Sequence, residues 1–284
     1  MCAKSTQIAE YWQVTGLTLS LQRPLVMGIL NVTPDSFYDG GIHTNAASAL
    51  EHAYQMVAEG ADIIDVGGES TRPGAGEITE EEELERILPV ISTLANDGVV
   101  VSVDTRHASV AAACLDGGAV IVNDVSGFRD AAMIKTVAAS EAGCIIMHMQ
   151  GEPRNMQKNP KYDDVVAEVS AYLLAQAARL EAAGVEPARI CIDPGPGFGK
   201  AYEHNLALLQ ATEHLATLGY PLSAAFSRKS FLGRLADAEL AADRLTASVF
   251  VSIWAAAHGA RILRVHDVAE TVEVLRLLVA VEGW

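Results

Sequence analysis

Cysteine is scarce in this chain of 284 residues, and Cys2, Cys114, Cys144 and Cys191 lie far apart with no C-x-x-C pair among them. That pattern argues against a disulfide framework or a cysteine zinc site and fits buried thiols in a reducing compartment. Cys144 and His148 are four apart, but on a strand that spacing separates them by roughly 13 Å, too far to share a metal. Cations are also in the minority, with 20 Lys and Arg against 36 Asp and Glu and a net charge of −16. A surface of that sign repels a nucleic-acid backbone and an anionic membrane, so an anionic ligand must be caught by locally placed cations. No apolar run approaches the about 18 residues of a membrane span, and the opening residues lack the apolar core of a signal peptide. The expected location is therefore cytoplasmic. There is no low-complexity tract, and no repeat beyond a strand–helix unit.

Hydrophobic residues make up 50% of the chain, enough for a large core. Runs rich in Val, Ile and Leu recur at Val26–Leu30, Asp62–Val66, Val99–Val103, Val120–Val122, Cys144–Met147, Ile190–Ile192, Leu222–Phe226 and Ile262–Leu263. Segments with helical spacing separate them. Leu84, Ile87, Leu88, Ile91 and Leu94 mark a helix opened by Thr79 and Glu82 in a capping-box arrangement and kinked at Pro89. Another runs from Val165 to Ala183 and stops at Gly184, which suits a left-handed cap. This alternation, with no G-x-G-x-x-G after the first strand, favours a closed (β/α)8 TIM barrel over an open doubly wound sheet. Such barrels run to roughly 250 residues, so one domain spans the chain. Tyr11–Leu21, interrupted by Gly16, predicts a short N-terminal hairpin across the barrel's amino-terminal mouth.

Polar residues stand at or just past each apolar run: Asn31, Asp65, Asp104, Asn123 with Asp124, His148, Asp193, Ser227 with Lys229, and Arg264 with His266. In a barrel these positions converge on the carboxyl face, where catalytic groups lie, while strand interiors are expected to fill with apolar side chains. The glycine- and proline-rich stretches 31–41 and 67–76 follow the first two strands and suit ligand-facing loops. Asp193 opens Asp-Pro-Gly-Pro-Gly-Phe-Gly-Lys and can offer two carboxylate oxygens to a planar ring with adjacent N–H donors. Capping a helix is its structural alternative. Ser227-Arg228-Lys229-Ser230 leads into a helix start, gathering two cations and free backbone N–H groups. Arg264-Val265-His266-Asp267 supplies a second cationic cluster, unless Arg264 is absorbed by Asp267 or another carboxylate. His148, between two methionines, reads as a wall residue.

Taken together, Gly28–Gly41, Asp65–Ala75, Ser102–Thr105, Asn123–Gly127, Met147–Gly151, Asp193–Lys200, Ser227–Gly233 and Arg264–Val268 closely resemble, in order, the motifs of the dihydropteroate synthase family. The resemblance spans from about Val26 to Val268 and implies a (β/α)8 barrel that joins dihydropterin diphosphate to para-aminobenzoate. It implies that Asp193 and Asn123 read the nitrogen edge of the pterin, with Asp104 beside it, Lys229 on its oxo side and Met147 among the binding residues. Asn31, Arg264 and His266 would take the diphosphate, with Arg72 closing over it. A magnesium ion is implied on phosphate oxygens and the Asn31 side chain. The catalytic burden would fall on Asp104, Lys229, Arg264 and His266. The arylamine carboxylate would meet Ser230, with Thr71, Pro73, Phe198 and the Arg228 stem as walls, and sulfonamide-type compounds would compete there. A homodimer through the later helices is also implied. The sequence departs from the family at Pro196, where an aromatic residue is usual, and at Tyr38, where a small one is common.

Three other readings stay open on the residues alone. A pterin-binding methyltransferase barrel would share the ring site without needing the cluster of Asn31, Arg72, Arg264 and His266. A non-catalytic pterin-binding barrel would keep most of the same residues. A Schiff-base aldolase would need Lys229 in a pocket that depresses its pKa, which the Ser-Arg-Lys-Ser setting speaks against.

Overall fold

A hairpin, β1 (Tyr11–Val14) and β2 (Leu17–Ser20), precedes eight parallel strands in a computed structural model that describes residues 9–33, 42–70 and 78–284. The strands are β3 (Leu25–Asn31), β4 (Ile63–Gly67), β5 (Val101–Asp104), β6 (Ile121–Asp124), β7 (Gly143–Met147), β8 (Ile190–Asp193), β9 (Ser223–Ala224) and β10 (Ile262–Val265). The helices between and after them are α1 (Ile42–Glu59), α2 (Glu80–Asn96), α3 (Ala108–Asp116), α4 (Ala131–Ala138), α5 (Val165–Ala182), α6 (Tyr202–Gln210), α7 (Thr212–Ala216), α8 (Ser230–Ala236), α9 (Leu245–Ala257) and α10 (Val268–Glu282). Pairing follows the order β8-β7-β6-β5-β4-β3-β10-β9, and a parallel bridge between Ile192 and Leu222 joins the two ends. The fold is the expected (β/α)8 barrel.

Local chemistry explains the helix ends. Thr79 Oγ accepts from the Glu82 amide at 3.1 Å, so one arm of the capping box forms, while the Glu82 carboxylate turns to Arg86 instead. The helix it opens, α2, runs on through Pro89. Asp164 accepts from the amides of Val166 and Ala167 to start α5, and Gly184 beyond its end takes φ +99. The seventh barrel strand is shorter than the run Leu222–Phe226 suggests. After Ala224 the chain turns, the Lys229 amide donating to the Phe226 carbonyl at 3.2 Å and Arg228 adopting φ 56.

The pleat places the site. Alternate strand residues Val26, Ile64, Val122, Cys144, Ile190 and Leu263 face the helices and join the main core. The residues between them, Met27, Ile63, Ile121, Ile145, Cys191 and Ile262, form a separate apolar floor with Trp12, Val14 and Leu21 of the hairpin segment. Side chains two residues apart share a face, so the next inward positions are Ile29, Asp65, Asn123, Met147, Asp193 and Arg264. The expectation of apolar strand interiors therefore holds only for the lower half of the barrel. Its upper half is polar and buried, with Asp65 at 0%, Asp193 at 2% and Asn123 at 4% exposure.

The hairpin seals the amino-terminal mouth as expected. Trp12 is wholly buried against Gly143, and its indole Nε1 donates to the Arg189 carbonyl at 2.8 Å. Trp12→Ala removes that plug and leaves the carbonyl unpaired, at an expected cost of about 3–5 kcal/mol. Urea unfolding followed by circular dichroism measures it, and a loss below about 1 kcal/mol would show that the floor does not depend on the hairpin.

Candidate active site

Arg264 of β10 reaches across the barrel to two carboxylates. Its Nε donates to Asp65 Oδ2 and its Nη2 to Asp104 Oδ2, each at 2.6 Å. Asn123 Nδ2 donates to the same Asp65 oxygen at 3.0 Å. A carboxylate can only accept, so this bond fixes the Asn123 amide with Oδ1 turned the other way. The two acids share one guanidinium, and burial is the larger influence on Asp104. Burial, with the nearby carboxylates of Asp65, Glu83 and Asp124, pushes its pKa up to about 7 against the pull of Arg264. Because the folded value is raised, folding favours the protonated acid. Asp104's contribution to stability therefore declines as pH rises from the ordinary carboxylate range towards 7.

Asp193 ends β8 on the neighbouring wall. Its Oδ1 accepts from the Gly195 amide at 2.7 Å and its Oδ2 from Ser223 Oγ at 2.8 Å, which fixes both oxygens in place. Burial raises its pKa, while these two bonds and the charges of Arg264 and Lys229 lower it. The loop beyond, 194–199, lies against the backbone after β7 through two left-handed glycines, Gly195 and Gly199, while a third, Gly197, faces the Lys229 stem. It brings Phe198 under Lys229, whose ammonium sits 4.4 Å from the ring centroid. Burial and the charge of Arg264 lower the Lys229 pKa to about 8, opposed by Asp193 and Asp104. The sequence argument that Lys229 escapes a pKa-depressing pocket is thereby corrected: the stem packs on Gly197 and the head on an aromatic face. Pro196 does not displace Phe198 from Lys229.

At the rim the Arg228 guanidinium pairs with Asp267, so it is Arg228 and not Arg264 that this carboxylate engages. The His266 amide donates to Ser227 Oγ at 3.2 Å, and Ser227 Oγ lies 3.1 Å from His266 Nδ1. One serine hydroxyl thus holds both the backbone and the ring of His266. Ser230 is exposed at the start of α8. Met147 joins Val125, Met149, Met156 and Phe198 in a small apolar cluster. Thr71, Arg72 and Pro73 lie outside the described residues, as does Tyr38.

Asn31 ends β3, half-buried, with Gly67 as its register partner. No group of three or more His, Cys, Asp or Glu side chains among the described residues is placed to hold a metal ion. The neutral Asn31 oxygen therefore suits a cation that takes most of its ligands from a bound anion and from water, as magnesium does.

The interior thus offers fixed acceptors on Asp193 and Asn123, a donor on Lys229, and cations around them. That set can hold a flat heterocycle by its polar edge and receive negative charge at the mouth. Sequence reasoning noted Asp65 only as a strand-end residue, and it missed Ser223 and Lys200. The period-two step from the floor residue Ile63 to Asp65 was the signal that could have placed Asp65 inside.

A family profile described as pterin binding enzyme matches residues 27–266. The chain is 47% identical to a dihydropteroate synthase of Neisseria meningitidis serogroup C over 269 residues, 93% of this chain and 95% of that one. Among solved structures it is similar to a Xanthomonas albilineans dihydropteroate synthase with 4-aminobenzoic acid, at TM-score 0.92 and 43% identity over 97% of this chain and 99% of that one. It is likewise similar to a Yersinia pestis dihydropteroate synthase in a sulfonamide drug complex, at TM-score 0.91 and 43% identity over 96% and 100% of the two chains.

The shared guanidinium makes a prediction. In Asp65→Asn, Asp104 becomes the sole carboxylate on Arg264 and loses a repelling neighbour, so its pKa falls below about 7. An NMR titration of the Asp104 carboxyl carbon reads the midpoint, and an unchanged value would mean the two acids are not coupled.

Proposed function

This chain belongs to the dihydropteroate synthase family of pterin-binding enzymes, and we propose from that membership how its own residues carry the reaction. The enzyme condenses hydroxymethyl-dihydropterin diphosphate with para-aminobenzoate, releasing diphosphate and dihydropteroate. The observation that carries the assignment of roles is the polar layer in which Asp193 and Asn123 are buried, with Asp104 and Lys229 partly buried beside them. Each Asp193 oxygen accepts one internal donor and keeps a lone pair for the N–H groups of the pterin edge. Asn123 Oδ1 accepts beside it, and Lys229 donates to the ring oxo group.

In the reaction the bond from the pterin methylene to the diphosphate oxygen breaks and its electron pair leaves with the diphosphate. The arylamine nitrogen lone pair then forms the new C–N bond, and that nitrogen loses a proton. The protein's task is to stabilise opposite charges as they separate. The Nη1 group of Arg264, unused by Asp65 and Asp104, and His266 receive the leaving group, with Arg72 assigned to the same role by family likeness. Asp104, held at the mouth by Arg264, faces the positive charge that builds on ring and methylene. Asn31 would hold a magnesium ion there, whose charge would offset that of the leaving group. For the arylamine, Phe198, Met147, Thr71, Pro73 and the Arg228 stem supply walls and Ser230 a hydroxyl for the carboxylate.

The assembly we propose is a homodimer. Phe250 of α9 and Leu277 and Val281 of α10 are 65%, 63% and 82% exposed on adjacent helices, an apolar face that a second copy would cover. Phe250→Glu is expected to turn a dimer into a monomer in sedimentation velocity, and an unchanged dimer would place the interface elsewhere. The net charge of −16 and the buried thiols Cys114, Cys144 and Cys191 support a cytoplasmic enzyme without nucleic-acid partners. No single helix among the described residues is long and apolar enough to cross a membrane.

Chromatographic detection of dihydropteroate from the two substrates tests the whole reading, with turnover expected to stop when magnesium is chelated and return when it is restored. Turnover undiminished by chelation would remove the metal. Asp193→Ala is expected to weaken dihydropterin binding by at least about a hundredfold in calorimetry, since the ring donors would be left buried and unpaired. Unchanged affinity would take Asp193 out of the ring site.

A further inference from the structure

Lys200 is buried to 3% exposure, yet the reaction as derived does not use it. Among the described residues its amino group forms no ion pair. Its three N–H groups are shared among four neutral acceptors on two loops: His148 Nδ1 at 2.9 Å and His148 O at 3.2 Å after β7, and Gly195 O and Phe198 O, both at 2.9 Å, after β8. Burial lowers the Lys200 pKa well below its ordinary value, with the Asp193 carboxylate opposing and the Lys229 charge adding to it, so the arrangement is costly and needs a reason beyond stability. Nδ1 can accept only if the imidazole is neutral. Burial and the charges of Lys200 and Arg129 hold it so, lowering the His148 pKa to about 3.

The same loop is tied elsewhere. Tyr162 Oη donates to Gly199 O at 2.8 Å, the Gln157 amide donates to Gly197 O, and the Gly197 amide donates to Asn205 Oδ1 at 2.6 Å. Lys200 differs in binding both ends of the segment that runs from Asp193 to Phe198. Gly195, two residues past Asp193, donates to that carboxylate and hands its carbonyl to Lys200, while Phe198 presents its ring to Lys229 and its carbonyl to Lys200.

We propose that Lys200, capped by His148, is a positioning residue that holds the pterin-reading carboxylate and the arylamine wall in register, so that one buried ammonium sets the affinity for both substrates. This rests on the functional reading above and deepens it. Lys200 touches neither substrate and acts through Asp193 and Phe198.

The test compares wild type with Lys200→Met, near-isosteric and uncharged, by steady-state kinetics on the magnesium-loaded enzyme. The KM for both substrates is expected to rise by about tenfold to a hundredfold, the range of one charge-assisted hydrogen bond, with kcat reduced less. His148→Leu is expected to raise both KM values in the same direction, with His148→Asn, whose amide oxygen can still accept, nearer to wild type. Should Lys200→Met fail to fold, the two His148 variants and hydrogen–deuterium exchange over residues 193–199 carry the same test, His148→Leu exchanging faster than His148→Asn there. Unchanged KM values in Lys200→Met, or His148→Leu and His148→Asn alike in KM and exchange, would overturn the proposal. A wild-type enzyme without turnover would instead overturn the reading beneath it, and the exchange comparison would still judge the lock.

Discussion

One guanidinium makes the polar interior of this barrel possible. Asp65 is fully buried one pleat above an apolar floor, where an unpaired carboxylate would cost several kcal/mol. Arg264 arrives from β10 at the matching height and gives Nε to Asp65 and Nη2 to Asp104. Asn123 completes the shell of that Asp65 oxygen, which in turn settles which way its own amide points. The other Asp65 oxygen and Ser102 Oγ, register partners on β4 and β5, have no hydrogen-bond partner among the described residues. The layer is thus built as half of a set of hydrogen bonds, the condition under which a polar ligand gains most from entering.

This constraint also arranges the charge. Burial, with Asp65 beside it, leaves Asp104 with a pKa near neutrality in spite of Arg264, and the same cation helps lower that of Lys229. Against a net charge of −16 over the chain, Lys229, Arg264 and Arg228 gather at one place, each facing a carboxylate of Asp193, Asp65, Asp104 or Asp267. In the proposed reaction the Nη1 group of Arg264, which neither acid engages, would meet the departing diphosphate, and Asp104 would face the positive charge on the pterin.

Much of this was legible in the residues. Strand count, hairpin, the caps at Thr79 and Gly184, and the strand-end polar residues follow from periodicity and turn chemistry, which are local. Pairings across the barrel are not local. Arg264 and Asp65 are separated by 199 residues, and their meeting depends on barrel stagger, which sequence does not state. Lys229 was misjudged for the same reason, because the burial and the Arg264 charge that lower its pKa come from distant parts of the chain. Ser223 was hidden in an apolar run whose true strand is only two residues long. Lys200 looked like the end of a motif, since nothing in its neighbours reveals that His148 lies beside it.

The segment after β8 separates what such a motif requires from what it tolerates. A Cβ on Gly195 would fall 1.9 Å from the His148 carbonyl oxygen, and one on Gly199 would fall 2.4 Å from that of Gln150, both at positive φ. Those contacts are with backbone, which cannot step aside, so only glycine fits. Position 196 has no such demand. Proline there supplies a fixed φ between two left-handed glycines, and the ring that matters for the arylamine wall, Phe198, still reaches Lys229. The departure from the usual aromatic residue therefore alters what lies over the loop without altering the path that carries Asp193 and Phe198. What fixes that path is close backbone approach and the carbonyl oxygens gathered around Lys200, and both are intact in this chain.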